Sequence, residues 1–316
     1  MARLSGHLWT IGPALAARAR PAARPADAEP FALEVADPAV GPVEVTGRLR
    51  RAGDGRSAAL LLHGLGGSAD SAYLPPFERE LNRRGWTTLA LNQRGCDRRG
   101  GDLHHAGFTE DLPRVLAAPP LAAAERVVLL GISLGGHVAL RYATESHDPR
   151  LAALAAICAP VDLELGARNL DRPGCWIYRG YLLGALNEVY REVAARRPLP
   201  VPVERVRRAR TIREWDGLVV APRFGFASAE DYYARASVAP RLGRLDRPAL
   251  LVWSEQDPMV PAATVRPALG GLPAPARVVW SRRGGHVGFP RGVDFGLGGG
   301  PGLAAQVVAW LERAAG

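Results

Sequence analysis

Short runs made almost wholly of apolar residues recur along this chain, at 58–62, 86–91, 127–130, 151–158, 249–253 and 277–280. Runs of this length without alternation are predicted to be strands covered on both faces. Between them, 73–84, 134–146 and 303–314 carry apolar residues at helical spacing. A further helix is expected from Thr109 to the Pro119-Pro120 pair, with Thr109 as N-cap and Glu110 and Asp111 in its first turn. Residues 31–56 alternate weakly and are expected to form leading antiparallel strands. Strands alternating with helices predict an α/β fold, a mostly parallel central sheet flanked by helices.

The rhythm stops at about 160 and resumes at about 240. No strand is predicted in between. Ile177, Tyr181, Leu186, Tyr190 and Val193 recur there at helical spacing, and arginine-rich helices follow. The expected organisation is an N-terminal arm over 1–30, a first part of the core over 31–159, an inserted helical cap over 160–240 and a second part of the core over 241–316. Within the arm, 14–30 reads as an extended linker rich in Ala, Arg and Pro. Arg3 and the residues to Ala16 imitate a short signal peptide, but His7, Gly12 and Pro13 interrupt the apolar stretch, so an ordered, retained arm is expected.

Composition narrows the function classes. The 316 residues suffice for one large domain with an insertion, and the apolar share of 47% is ordinary for a globular protein. No apolar run reaches the length of a membrane helix. The net charge of +9 suggests nucleic acid, yet there is no lysine, and all 40 basic residues are arginines scattered along the chain. The densest group, Arg205, Arg207, Arg208, Arg210 and Arg213, reads as a solvated helix face, without interleaved aromatic platforms. Nucleic acid is therefore not an expected partner. Cys96, Cys158 and Cys175 show no disulfide framework and read as reduced thiols of a cytoplasmic protein.

The chemistry centres on Gly131-Ile132-Ser133-Leu134-Gly135-Gly136, directly after the run at 127–130. A buried strand leading into G-x-S-x-G and then a helix is the layout of a nucleophile elbow. A serine hydroxyl needs a base, and the base needs an acid to orient it, in the chain order Ser, Asp, His for this fold class. Asp257 follows the run at 249–253, and His286 follows the run at 277–280, so order and strand-end placement both fit. Glu255 is the fallback acid. The N–H groups of Leu134 and of Leu65, in the loop His63-Gly64-Leu65-Gly66-Gly67, are the expected oxyanion hole. Asp102, His104 and His105 lack metal-ligand spacing and are expected to structure a loop behind the site. The missing lysine excludes a Walker motif and a Schiff-base enzyme. No metal or cofactor is expected.

Several stretches resemble the α/β-hydrolase family that includes the bacterial YheT-type esterases and the eukaryotic medium-chain acyl esterases and ethyl ester synthases. They are Gly6-His7-Leu8-Trp9-Thr10-Ile11, Asn92-Gln93-Arg94-Gly95-Cys96, the segment from His104 to Leu112, the elbow with Tyr142, Arg213-Glu214-Trp215-Asp216, the segment from Gly225 to Tyr233, and Gly284 to Phe289. Trp9, Gln93, His137 and Arg141 depart from the family pattern. The resemblance implies Ser133, Asp257 and His286 as the charge-relay system of a carboxylic-ester hydrolase acting on short- to medium-chain acyl esters, with a small-molecule ester as its partner. Trp176, Tyr181 and Leu186 either line an acyl pocket or pack the cap onto the core. An acyltransferase on the same three residues, and a non-catalytic binding protein on this fold, are the rival readings. The oligomeric state stays open.

Overall fold

The computed structural model describes residues 2–19, 25–145 and 148–316. The first element is α1 (Ala2–Ala19). Strands β1 (Glu29–Asp37) and β2 (Gly41–Arg50) form an antiparallel hairpin, and β3 (Ser57–Leu62), α2 (Pro75–Arg83) and β4 (Thr87–Leu91) follow. Then come α3 (Asp111–Ala117), β5 (Arg126–Ile132), α4 (Leu134–Glu145) and β6 (Leu151–Ile157). Six helices separate β6 from the next strand: α5 (Leu163–Leu170), α6 (Trp176–Ala194), α7 (Val203–Val206), α8 (Ile212–Leu218), α9 (Val220–Phe224) and α10 (Ala229–Ala236). The chain closes with β7 (Ala249–Ser254), α11 (Ala262–Val265), β8 (Ala276–Ser281) and α12 (Leu303–Ala315).

The eight strands form one sheet in the order β1-β2-β4-β3-β5-β6-β7-β8. From β4 to β8 every pairing is parallel, whereas β2 meets β4 antiparallel. Side chains alternate across the sheet with period two. Leu60 and Leu62 join Leu112, Val115 and Leu116 of α3 and Val138 of α4 in one core. Ala59 and Leu61 join Phe77 and Leu81 of α2 and Val308 and Leu311 of α12 in the other. Burying both faces is what forces the unbroken apolar runs, each large side chain contributing about 1.5–3 kcal/mol.

The helices between β6 and β7 have a third core of their own, built from Leu182, Leu186, Val189, Tyr190, Trp215, Tyr232 and Tyr233, which also takes in Leu103, Ala106 and Leu134. Side-chain caps start three of these helices. Asp162 accepts from the Leu165 N–H, Thr211 from Glu214 and Ser228 from Asp231.

Two expectations need correction. Thr109 is not an N-cap: α3 begins at Asp111 with no side-chain cap, and the Asp111 carboxylate is held instead by a bidentate bond from Arg94. A tertiary ion pair therefore sets that helix start. The stretch from 14 onward is not extended but continues α1 to Ala19, as its alanines and arginines, both strong helix formers, favour. Residues 20–24 of the expected linker, and His147, lie outside the described residues.

Arg94 is the hub of a buried ion cluster. Its second Nη reaches Asp37 at 2.5 Å and Asp102 at 3.2 Å, and Asp102 is held again by Arg223 of α9. The cluster ties the end of β1, the loop after β4, the start of α3 and the inserted helices together. Burial alone would raise the Asp37 carboxyl, but the Arg94 guanidinium outweighs it and holds the group below its ordinary range. Removing one member leaves buried charge without a partner. Arg94→Met should destabilise the fold by about 3–5 kcal/mol, read as a lower midpoint in urea unfolding. A shift within about 0.5 kcal/mol, the scale of ordinary surface substitutions, would contradict this account.

Candidate active site

Ser133 sits at the turn between β5 and α4 with φ +53°, a left-handed backbone that a serine adopts only under constraint. Its N–H donates to the Ile157 carbonyl at 2.7 Å. The flanking glycines are there for space. A Cβ on Gly131 would lie 2.2 Å from the Gly135 carbonyl oxygen, and one on Gly135 would lie 2.2 Å from that of Leu62. The helix can thus start directly over the strand ends, with the Ser133 hydroxyl lifted clear of the sheet.

The structure brings the three sequence-predicted residues into one line. His286 Nε2 lies 2.9 Å from Ser133 Oγ, and His286 Nδ1 lies 2.8 Å from Asp257 Oδ2. The other carboxylate oxygen of Asp257 accepts the N–H groups of Met259 and Val260 at 2.8 and 2.9 Å. Asp257 is buried, and both bonds fix its rotamer. Glu255, the fallback acid, is instead half-exposed and paired with Arg266 at 3.1 Å.

The other described histidines are committed elsewhere. His63 contacts the Gly64 carbonyl and accepts the Gln93 N–H, and burial pushes its pKa down to about 4. His137 lies between the carbonyl oxygens of Pro160 and Ala236, at 2.7 and 3.0 Å. His104 and His105 are not behind the site but line its cavity. His105 is packed against Phe108, Phe224, Phe226 and Tyr232, and burial pushes its pKa down to about 3, so it is neutral.

Two residues at the site carried no separate signal in the sequence. Thr10 of α1 accepts the His286 N–H at 2.8 Å and donates to the Gly6 carbonyl at 2.7 Å. Gly285 makes room for this: a Cβ there would lie 2.2 Å from the Gly6 carbonyl oxygen. The resemblance of 6–11 to the family arm was the available hint, but nothing local joins residues 276 positions apart. Cys158 is the second. It also has positive φ, its Sγ accepts the Val287 N–H at 3.4 Å, and burial with Asp257 beside it pushes its thiol well up. Donor atoms of Cys158, Asp257 and His286 lie within 4.8 Å of one another, a spacing that would suit a metal. Both nitrogens of His286 are already engaged, however, and the thiol is held neutral. Asp102 is likewise bonded to arginines and His104 Nδ1 to the Arg94 carbonyl.

Ser133 and His286 open onto a cavity of about 820 Å³ with largely apolar walls. Leu65 and Leu134 both line it beside Ser133, and neither N–H is engaged by another backbone group among the described residues. The cavity is walled by Leu163, Ile177, Tyr181, Leu182 and Leu186 of the inserted helices and by Ile11 and Leu15 of α1. Tyr181 and Leu186, the latter also packed in the core of the inserted helices, line the cavity. Trp176 does not: it faces away from the cavity lining and is 65% exposed, because it opens α6 one position before the lining face begins.

Residues 59–295 match the alpha/beta hydrolase family. The chain is 32% identical over 247 residues to "Putative esterase YheT" of Escherichia coli, covering 74% of this chain and 71% of that protein. It is 28% identical over 254 residues to Phospholipase ABHD3 of Homo sapiens, covering 75% of this chain and 60% of that protein. Esterase Pf2001 of Pyrococcus furiosus superposes with a TM-score of 0.52 at 16% identity, over 82% of this chain and 85% of that one, a likeness of fold. Sheet order, matched span and sequence identity agree, and the chain belongs to the α/β hydrolase family.

Proposed function

We propose that this protein is a serine esterase that hydrolyses carboxylic esters through Ser133, His286 and Asp257. The observation that carries the reading is the hydrogen-bonded line from Ser133 through His286 to Asp257 at the wall of an apolar cavity. Ser133 Oγ attacks the ester carbonyl while His286 Nε2 takes its proton. Asp257 holds the imidazole in the required tautomer and stabilises the cation that forms. The tetrahedral oxyanion is met by the N–H groups of Leu134 and Leu65. Collapse returns the proton from His286 to the departing alkoxide and leaves an acyl-enzyme. Water, deprotonated by His286, then releases the acid and restores the serine.

The helices between β6 and β7 act as a cap in this reading. Their apolar wall, with Tyr181, Leu182 and Leu186, holds the acyl chain of a short- to medium-chain ester. The names of the relatives, esterase and phospholipase, support ester chemistry. Thr10 is a positioning residue: it stands in the cavity wall and holds the histidine loop through the His286 N–H.

Ser133→Ala should lower kcat for p-nitrophenyl octanoate by a factor on the order of 10⁵ or more and abolish labelling by a fluorophosphonate, with unfolding unchanged. Retained activity in that variant would remove the mechanism. Thr10→Val leaves the His286 N–H without its acceptor, a loss of about 1–3 kcal/mol. Its kcat should fall about tenfold while KM holds, and Thr10→Ser should restore most of the loss. A purely structural role for Thr10 would instead lower stability and leave kcat of the folded enzyme alone.

A further inference from the structure

The cavity is not apolar throughout. Asp216 of α8 and Tyr233 of α10 both line it, among Ile212, Trp215, Val220 and Tyr232. The Tyr233 hydroxyl donates to Asp216 Oδ2 at 2.6 Å, while Oδ1 accepts from no group among the described residues. Asp216 is only 8% exposed. No cation is bonded to it. Arg213, the arginine that acts on it electrostatically, is bound to Glu164 and Glu230. A tie between α8 and α10 would need one acceptor oxygen for the tyrosine. A carboxyl supplies a second oxygen, and here that oxygen has no protein partner among the described residues, on a side chain that lines the cavity. Such an oxygen is left to solvent or to a ligand, and a ligand that displaces solvent from it without a polar group of its own leaves it unpaired at a cost.

We propose that Asp216, oriented by Tyr233, is a recognition point for a hydroxyl group on the acyl chain of the substrate. The proposal rests on the reading of Ser133 as the residue that accepts that acyl chain. Burial, followed by the nearby Asp171 charge and opposed by the Tyr233 bond, pushes the Asp216 carboxyl up to about 7, so both of its forms are present near neutrality. A hydroxyl can donate to the ionised form and accept from the neutral one, whereas a methylene answers neither. An ammonium would answer the ionised form alone, and the net charge of +9 repels it from the protein. The site therefore selects hydroxylated acyl chains over plain ones of equal length. Asp216 chooses the substrate and takes no part in the proton transfers at Ser133.

The test compares kcat/KM for p-nitrophenyl octanoate with that for a series of hydroxyoctanoates, the hydroxyl moved carbon by carbon along the chain. At one or two positions the hydroxylated ester should be favoured about 10–100-fold, the size of a hydrogen bond to a buried charged or acidic group. Methylation of that hydroxyl should erase the preference. In Asp216→Leu the ratio of the two esters should fall to near one, with fluorophosphonate labelling of Ser133 reporting that the variant is folded. Octanoate turnover with no hydroxylated isomer preferred, or a preference that survives Asp216→Leu, overturns the role of Asp216 and leaves the esterase reading standing. No turnover of any ester and no labelling of the wild type overturns both. If Asp216→Leu fails to fold, the wild-type series with its methylated members decides alone.

Discussion

The contact between the start of α4 and the carboxyl ends of β3 and β5 is the constraint on which this site depends. Backbone meets backbone there, with no side chain between Gly131, Gly135 and Leu62. That closeness goes with the positive φ of Ser133 and places the start of α4 directly after it. A looser turn would lower the serine toward the sheet and turn the helix dipole away from the developing charge. The strain is local, and the wide sheet around it, fully buried in its central strands, carries the stabilisation that holds it in place.

The sheet was legible because burial on both faces writes itself into a sequence as unbroken apolar runs, and each run beyond the hairpin became a strand with its bounds moved by a residue or two. The elbow was legible because its glycines must be adjacent in sequence. Asp257 and His286 were legible because strand ends are where loops deliver side chains to one edge. What stayed hidden depends on contacts between distant segments. Thr10 looks like any helical threonine until α1 is laid across the histidine loop. The start of α3 obeyed an ion pair with Arg94 rather than the capping residue that local chemistry favoured. Trp176 shows the same limit at the scale of one residue: the helical spacing that begins at Ile177 marks lining positions, but Trp176, which lies outside that spacing, is exposed and absent from the lining.

Three parts of the chain far apart in sequence thus converge on one cavity. The core supplies the serine, the acid and the histidine. The inserted helices supply an apolar wall with one carboxyl in it. The N-terminal helix supplies the acceptor for the histidine backbone and further wall. His7 Nδ1, 2.5 Å from the Tyr178 hydroxyl, joins that helix to α6, so the wall and the strut are in contact. A change in how either piece sits reaches the histidine loop through the Thr10 hydrogen bond and the close packing of α1 on Gly285 and Gly288.

The buried cluster around Arg94 and Arg223 has one further implication. Guanidinium groups keep their protons far above any physiological pH, and the chain has no lysine side chain whose charge could be lost on the alkaline side. The cationic half of every ion pair made by Lys or Arg here is therefore constant, and only the carboxylates can switch it off. The pKa of Asp37 is held low in the folded state, so its contribution is full above its unfolded value and fades as pH falls through the folded one. The lock between sheet and inserted helices is thus one-sided. Acid can weaken it by neutralising Asp37, whereas alkali finds no proton in its guanidinium groups to remove.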